Sequence, residues 1–179
     1  MSEQTSASWM MRPMDVDEVG RICEIDVSET GEVVYKWVDG QVEPIPEHWQ
    51  RRPYDAAGWR QRADMVKAAL ATGGAALGAF NGPVLVGFAA VRYRLAEDVA
   101  QLVALWVRAA YRRRGIAAAL TGEAARLAGD SGAATLYVSA TPSESAQAFY
   151  RSRGFRPTQF VHMELFEQEP EDIHMVKQL

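Results

Sequence analysis

The chain has 179 residues, 48% of them hydrophobic, a formal net charge of −4 and one cysteine. That length suffices for one self-sufficient core, read as a single domain over 1–179, while the acidic balance argues against a general nucleic-acid binder, which needs a basic surface to displace counterions. No apolar run approaches the ~20 residues that span a bilayer, Met1 to Ser8 lacks the basic-then-apolar order of a signal peptide, and Cys23 has no partner for a disulfide or a thiolate metal site. The expectation is a cytoplasmic protein with no membrane partner and no metal.

Trp9 to Arg12 predicts a short strand. Beyond Pro13 the apolar Val16, Val19, Ile22 and Cys23 recur at helical spacing, with Asp15, Asp17 and Glu18 in the first turn where acids are favoured. From Glu29 to Tyr54 the residues Gly31, Gly40, Pro44, Pro46 and Pro53 interrupt any period, and the expectation is a long loop with short local structure. Asp55 is placed to cap a helix running to about Leu70, closed by Thr72-Gly73-Gly74. Ala75 to Phe80 and Val84 to Arg94 predict two strands turning at Asn81-Gly82. Gln101 to Val107 is nearly all apolar, as in a central strand covered on both faces. Ile116, Leu120 and Leu127 mark an alanine-rich helix, Thr135 to Ala140 a strand, and Ser143 to Arg153 a helix stopped by Gly154. Two closing strands are predicted, at about Gln159 to Phe166 and Asp172 to Gln178, around the turn-like Gln168-Glu169-Pro170-Glu171. This order describes a mixed sheet with helices on its faces, an α/β or α+β sandwich.

The junction between the Gln101 to Val107 strand and the next helix carries the chemistry. Arg108, Arg112, Arg113 and Arg114 fall within seven positions of an otherwise acidic chain, which suggests one discrete anionic ligand. A helix starting there aims free N–H groups and its positive dipole end at one place, and Gly115 and Ala117 let a ligand approach the backbone.

The stretch Val107 to Leu120 resembles the motif of the GNAT superfamily of acyl-CoA N-acyltransferases, in which Arg or Gln, two residues, Gly, one residue, then Gly or Ala embraces the acyl-CoA pyrophosphate. Here those residues are Arg112, Gly115 and Ala117. Ala146 to Phe155 is similar to a second family motif, Ala-x-x-Phe-Tyr-x-x-x-Gly-Phe, three residues after a position where many members carry Asn and this chain carries Ser143. The resemblance covers roughly Val84 to Leu179. It implies a mostly antiparallel central sheet flanked by helices on both faces, with residues 99–132 as the pyrophosphate-binding strand-helix unit and 29–60 as a variable region on the acceptor side.

The activity implied is transfer of an acetyl group from acetyl-CoA to a primary amine of a small molecule or peptide, by direct attack in a ternary complex. Acyl-CoA contacts are expected from Leu105, Trp106 and Val107, from Arg112, Arg113, Arg114, Gly115, Ile116, Ala117 and Ala118, and from Ser143, Ala146, Phe149 and Tyr150. By the same resemblance the N–H of Leu105 or Val107 contacts the pantetheine or the thioester oxygen, and Tyr150 is the general acid for the departing thiolate. An amine must lose a proton before it attacks; Glu97 and Asp98, just before the central strand, are the candidate bases. Glu43 and Glu47 with Trp37, Trp49 and Trp59 would suit a cationic acceptor, while His162 and His174 read as ordinary strand residues. A catalytically silent acyl-CoA-binding module is the alternative, and a nucleotide-binding domain fits less well because neither a GxGxxG fingerprint nor a Walker loop is present. A homodimer would suit a fold that exposes a strand edge.

Overall fold

The computed structural model describes residues 8–179, so the opening segment Met1 to Ser8 lies outside it apart from Ser8. β1 (Met10–Met14) leads into a 3-10 segment, Val16–Glu24, whose Val19 and Ile22 are fully buried. Its Glu18 carboxylate accepts the Asp15 N–H at 3.2 Å and the Arg12 guanidinium at 2.6 Å, which ties the segment to the strand before it.

The loop expected from Glu29 to Tyr54 is instead a long hairpin, β2 (Glu29–Val38) and β3 (Gln41–Arg51). Its turn is Asp39-Gly40, with φ of 48° and 83°. Asp-Gly between runs rich in Val, Tyr and Trp is a hairpin signal, which Pro44 and Pro46 masked. The prolines are tolerated because β3 pairs only with β2, leaving the other edge of β3 without a ladder.

α1 (Ala56–Ala71) begins as predicted, with the Asp55 carboxylate accepting the Gly58 N–H at 2.7 Å. β4 (Ala75–Asn81), β5 (Val84–Ala96) and β6 (Val99–Val107) then form an antiparallel meander, followed by α2 (Ile116–Asp130), β7 (Thr135–Ala140) and α3 (Glu144–Ser152). The strand predicted over Gln159 to Phe166 is absent. β8 is confined to Arg156–Pro157, Met163–Gln168 forms the short helix α4, and β9 (Ile173–Gln178) closes the chain. Met-Glu-Leu-Phe-Glu-Gln contains good helix formers, and one turn and a half is too short for a helical period to show in sequence.

The seven strands lie in the order β1-β4-β5-β6-β7-β9-β8, with β6 and β7 the parallel pair and the other neighbours antiparallel. Both faces are covered. Trp59, Ala63 and Val66 of α1 join Val19 and Ile22 against Leu85, Phe88 and Ala90, while Ile116, Leu120 and Ala124 of α2 join Tyr150 and Phe155 against Val86, Ala89 and Val91. At Gly87 a Cβ would stand 2.5 Å from Ile116 Cγ2 and 3.1 Å from Leu120 Cδ1, so the missing side chain lets the first turns of α2 lie directly on β5. Gly87→Val is expected to destabilise the fold by about 1–3 kcal/mol through overpacking. Denaturant unfolding would show it, and a variant as stable as the wild type would mean that α2 has room to move.

Candidate active site

β6 and β7 pair only from Val99 to Gln101 against Thr135 to Tyr137. Beyond Gln101, β6 stays with β5 as far as Val107 and β7 stays with β9 as far as Ala140, so a gap opens in the middle of the sheet. The Arg108 N–H donates to the Val86 carbonyl, on the β5 side, at 2.9 Å. N–H directions alternate along a strand, so those of Val107 and Leu105 turn to the opposite edge, into the gap.

A cavity of about 750 Å³ lies against the gap on the side of α2 and α3. The chain enters α2 through Arg113, a non-glycine residue at φ 62°, and Gly115, the helix N-cap, at φ 79°. No atom lies within 4 Å of where a Gly115 Cβ would be, so the backbone is open to a ligand there. The Ala119 N–H bonds the Gly115 carbonyl at 3.0 Å, which leaves the N–H groups of Ile116, Ala117 and Ala118 without helical acceptors. These donors, the helix dipole and the side chains of Arg112 and Arg113 all face one cavity, an arrangement that fits a pyrophosphate.

Ser143, Ala146, Phe149 and Tyr150 form another wall of this cavity. Ser143 is buried and caps α3 by accepting the Ala146 N–H at 3.3 Å. The adjoining Pro142 carbonyl accepts the Tyr35 N–H at 2.8 Å, and Val34 bridges to Ser143, so the β2–β3 hairpin is fastened beside the entry to α3.

A second cavity, about 250 Å³, opens on the α1 side of the sheet. Tyr54, Arg62, Ser139, Glu169 and Asp172 line it, and it shares Leu105, Trp106, Thr141 and Tyr150 with the first. Two cavities on opposite faces therefore meet at the gap. Trp106 is held there by Phe88, stacked at 5.8 Å, and by Trp59, edge-on at 5.6 Å. Tyr150 is 8% exposed and lies edge-on to Phe149 and to Phe155, each at 5.3 Å. Burial, and then the charge of Asp172, raise its phenol above the usual range, so it keeps its proton at neutral pH. Burial first, and the Glu169 charge second, push the Asp172 carboxyl up to about 6, against the opposing effects of the Ser139 hydroxyl, which donates to it at 3.1 Å, and of Arg51.

The residues expected to contact acyl-CoA come together with one exception. Leu105, Trp106, Val107, Arg112, Arg113 and Gly115 line the larger cavity, as do Ile116, Ala117, Ala118 and the four positions on and before α3. Arg114 does not; its guanidinium lies over the Tyr111 ring, 5.0 Å from the centroid. Glu97 and Asp98 are exposed at the β5–β6 turn, at the far end of β6. Some eight strand residues, roughly 26 Å, separate Glu97 from Leu105, so the fold does not bring this pair to the gap.

The aromatic and acidic group expected around an acceptor is also dispersed. Trp59 is buried under Trp106, Trp49 donates its indole N–H to the Val33 carbonyl at 3.0 Å, and Glu47 pairs with Lys36 at 2.9 Å across the hairpin. Once residues 29–51 are paired strands, Trp49 and Glu47 serve the hairpin itself. His174 does lie in a strand, its Nδ1 paired with the Tyr137 hydroxyl, whereas His162 precedes α4 and donates its backbone N–H to that same hydroxyl at 3.0 Å. Tyr54, Thr141, Glu169 and Asp172 also line the smaller cavity, and nothing in the sequence singles them out. Each lies in a connection or at an element end, where no local period marks it.

Comparison with known proteins adds three findings. The model of the acetyltransferase (GNAT) family matches residues 34–155. No curated protein matches the chain. Among solved structures, a nourseothricin acetyltransferase superposes with a TM-score of 0.74 at 18% identity, over 95% of this chain and 98% of that one. A PaiA N-acetyltransferase from Thermoplasma acidophilum, in complex with coenzyme A, gives 0.63 at 16% identity over 96% and 99% of the two chains. A Bacillus anthracis protein assigned as a streptothricin acetyltransferase, in complex with acetyl coenzyme A, gives 0.71 at 14% identity, again over 96% and 99%. At such identities the likeness is one of fold.

Gly115→Glu places bulk and negative charge at the cavity's anion-binding end, in a backbone conformation that side chains rarely adopt. Calorimetric titration with acetyl-CoA is expected to show binding by the wild type and none by the variant; equal affinities would remove the α2 N-terminus from the site.

Proposed function

This chain belongs to the acetyltransferase (GNAT) family, and we propose that it moves the acetyl group of acetyl-CoA onto a primary amine by direct attack, with both substrates bound. The observation that carries this reading is the pair of cavities on opposite faces of one sheet, joined at the gap beside Tyr150. A co-substrate from one face and an acceptor from the other can meet there without either displacing the other, and holding two reactants in register supplies much of the barrier reduction.

Arg112, Arg113 and the N–H groups of Ile116, Ala117 and Ala118 hold the pyrophosphate. Acetyl-CoA supplies an activated acyl group with a thiolate as leaving group. The N–H groups of Leu105 and Val107 are the donors for the pantetheine arm and for the carbonyl oxygen as it gains charge. Tyr150, protonated, buried and packed edge-on against Phe149 and Phe155, is the proton donor for the sulfur. Two structural neighbours bear the names of nourseothricin and streptothricin acetyltransferases, which makes nourseothricin an acceptor to try first. Among the described residues no helix is long and apolar enough to cross a membrane.

Tyr150→Phe is expected to bind acetyl-CoA as the wild type does and to turn over about 10²-fold more slowly or worse. Initial-velocity lines for the wild type should intersect. Parallel lines would point to a covalent acyl-enzyme, and full activity in Tyr150→Phe would take that residue out of the reaction.

A further inference from the structure

We propose that Asp172 is the general base that takes the proton from the acceptor ammonium, from a position in the acceptor-side cavity opposite the acyl-CoA site. This assignment rests on the acyl-transfer reading above. A primary alkylammonium has a pKa near ~10.4 and cannot attack until it is deprotonated, so the acceptor side of the gap needs a proton acceptor.

Two carboxylates line that cavity, Glu169 and Asp172. Glu169 is exposed and 3.9 Å from the Arg62 guanidinium, which itself lies 3.6 Å from the centroid of the Tyr54 ring. Asp172 differs. Its Oδ2 accepts the Ser139 hydroxyl from β7, which orients the carboxylate. The cation whose charge lowers its pKa, Arg51 on β3, acts on it only through space and is 3.8 Å from Glu29. The Asp172 charge is thus partly desolvated and has no salt-bridge partner among the described residues, a state that a docked ammonium would relieve.

The placement is held from both sides of the segment. His162 ahead of α4 and His174 just after Asp172 both bond the Tyr137 hydroxyl, so the connection that carries Asp172 is held on both sides by one side chain of β7. Other charged or titratable groups face Asp172 from the elements around it. Glu169 and Glu171 lie on its own segment, Tyr150 on α3 and Arg62 on α1, while Lys36 of β2 and His174 of β9 line the neighbouring cavity that Asp172 also borders. Burial first, and then the Glu169 charge, push the Asp172 carboxyl toward the pH range where a base is most effective.

The proton balance closes with these two residues. The acceptor enters as R–NH3+, and the Asp172 carboxylate takes one proton, later released to water. The nitrogen lone pair forms the C–N bond to the acetyl carbon while the C–S bond breaks and its electron pair passes to sulfur. The Tyr150 hydroxyl protonates that sulfur, and the surplus proton on the attacking nitrogen restores the phenol. The products are the acetamide, the CoA thiol and one proton.

The test compares wild type, Asp172→Asn and Ser139→Ala, with nourseothricin, n-butylamine, 1,4-diaminobutane and L-lysine methyl ester as probe acceptors. In the free protein, carbon NMR of aspartate-labelled enzyme should show one carboxyl titrating near pH 6 that Asp172→Asn removes. With the best acceptor, kcat/KM of the wild type should fall on an acid limb near the same pH. Asp172→Asn should lose that limb and 10² to 10⁴ in rate while binding acetyl-CoA normally. Ser139→Ala, which removes a hydrogen bond favouring the carboxylate, should move the limb to higher pH. Asp172→Asn with wild-type turnover, or with acetyl-CoA binding also lost, would overturn the assignment of the base alone. Failure of the wild type to release thiol with any of the four amines would overturn the acyl-transfer reading, and this inference with it.

Discussion

β6 keeps β5 as its partner to its last residue while β7 keeps β9, so the two central strands share only three paired positions before they part. A central strand ordinarily commits its N–H groups to both neighbours, because a buried unpaired backbone group is costly. Here the Leu105 and Val107 donors on the β7 side have no ladder partner beyond Gln101, and a ligand lying in the gap can serve as the missing strand. The same divergence lets α2 start where β6 ends, so that the free N–H groups of the helix and those of the strand edge border one cavity. Gly87 on β5 fixes how closely α2 sits, and Trp106, wedged between Phe88 and Trp59, holds the opposite lip.

The gap also joins two electrical environments. On the α2 side arginines and helix donors favour an anion, whereas on the α1 side Asp172 is a carboxylate with no salt-bridge partner among the described residues. Tyr150 stands between them, and its protonation is coupled to Asp172 because each added negative charge makes ionisation of the phenol harder. A raised phenol and a raised carboxyl on the two sides of one opening are the expected consequence of shielding both groups from water.

How much of this was legible in the sequence depended on whether the signal was local. The cavity wall at the start of α2 comes from one short stretch, Arg112, Arg113 and Gly115 to Ala118, and the wall opposite from residues between Ser143 and Tyr150, so both could be read directly. The Asp55 cap was legible for the same reason, and so was a tight hairpin after Phe80, although its two turn residues are Gly82 and Pro83: Asn81 ends β4 paired with Val84, and of the expected dipeptide only Gly82 has a positive φ. The β2–β3 hairpin was not, because its prolines imitate loop breakers and only its position as an isolated two-stranded ribbon makes them harmless. Glu97 and Asp98 looked close to the site along the chain, yet the length of β6 carries them to its other end. Asp172 showed the reverse: it read as the first residue of a closing strand after the turn-like Gln168-Glu169-Pro170-Glu171, and only the pairing of β9 with β7 brings it to Ser139 and the gap.

If the two substrates meet in the opening between β6 and β7, a crystal structure of the enzyme with coenzyme A will show the pyrophosphate on the N–H groups of Ile116 to Ala118, the pantetheine arm along Leu105 to Val107, and the sulfur within hydrogen-bond reach of the Tyr150 hydroxyl, facing the cavity that holds Asp172. Coenzyme A bound with its sulfur outside the gap, or with β6 and β7 zipped together beneath it, would mean that the substrates meet elsewhere.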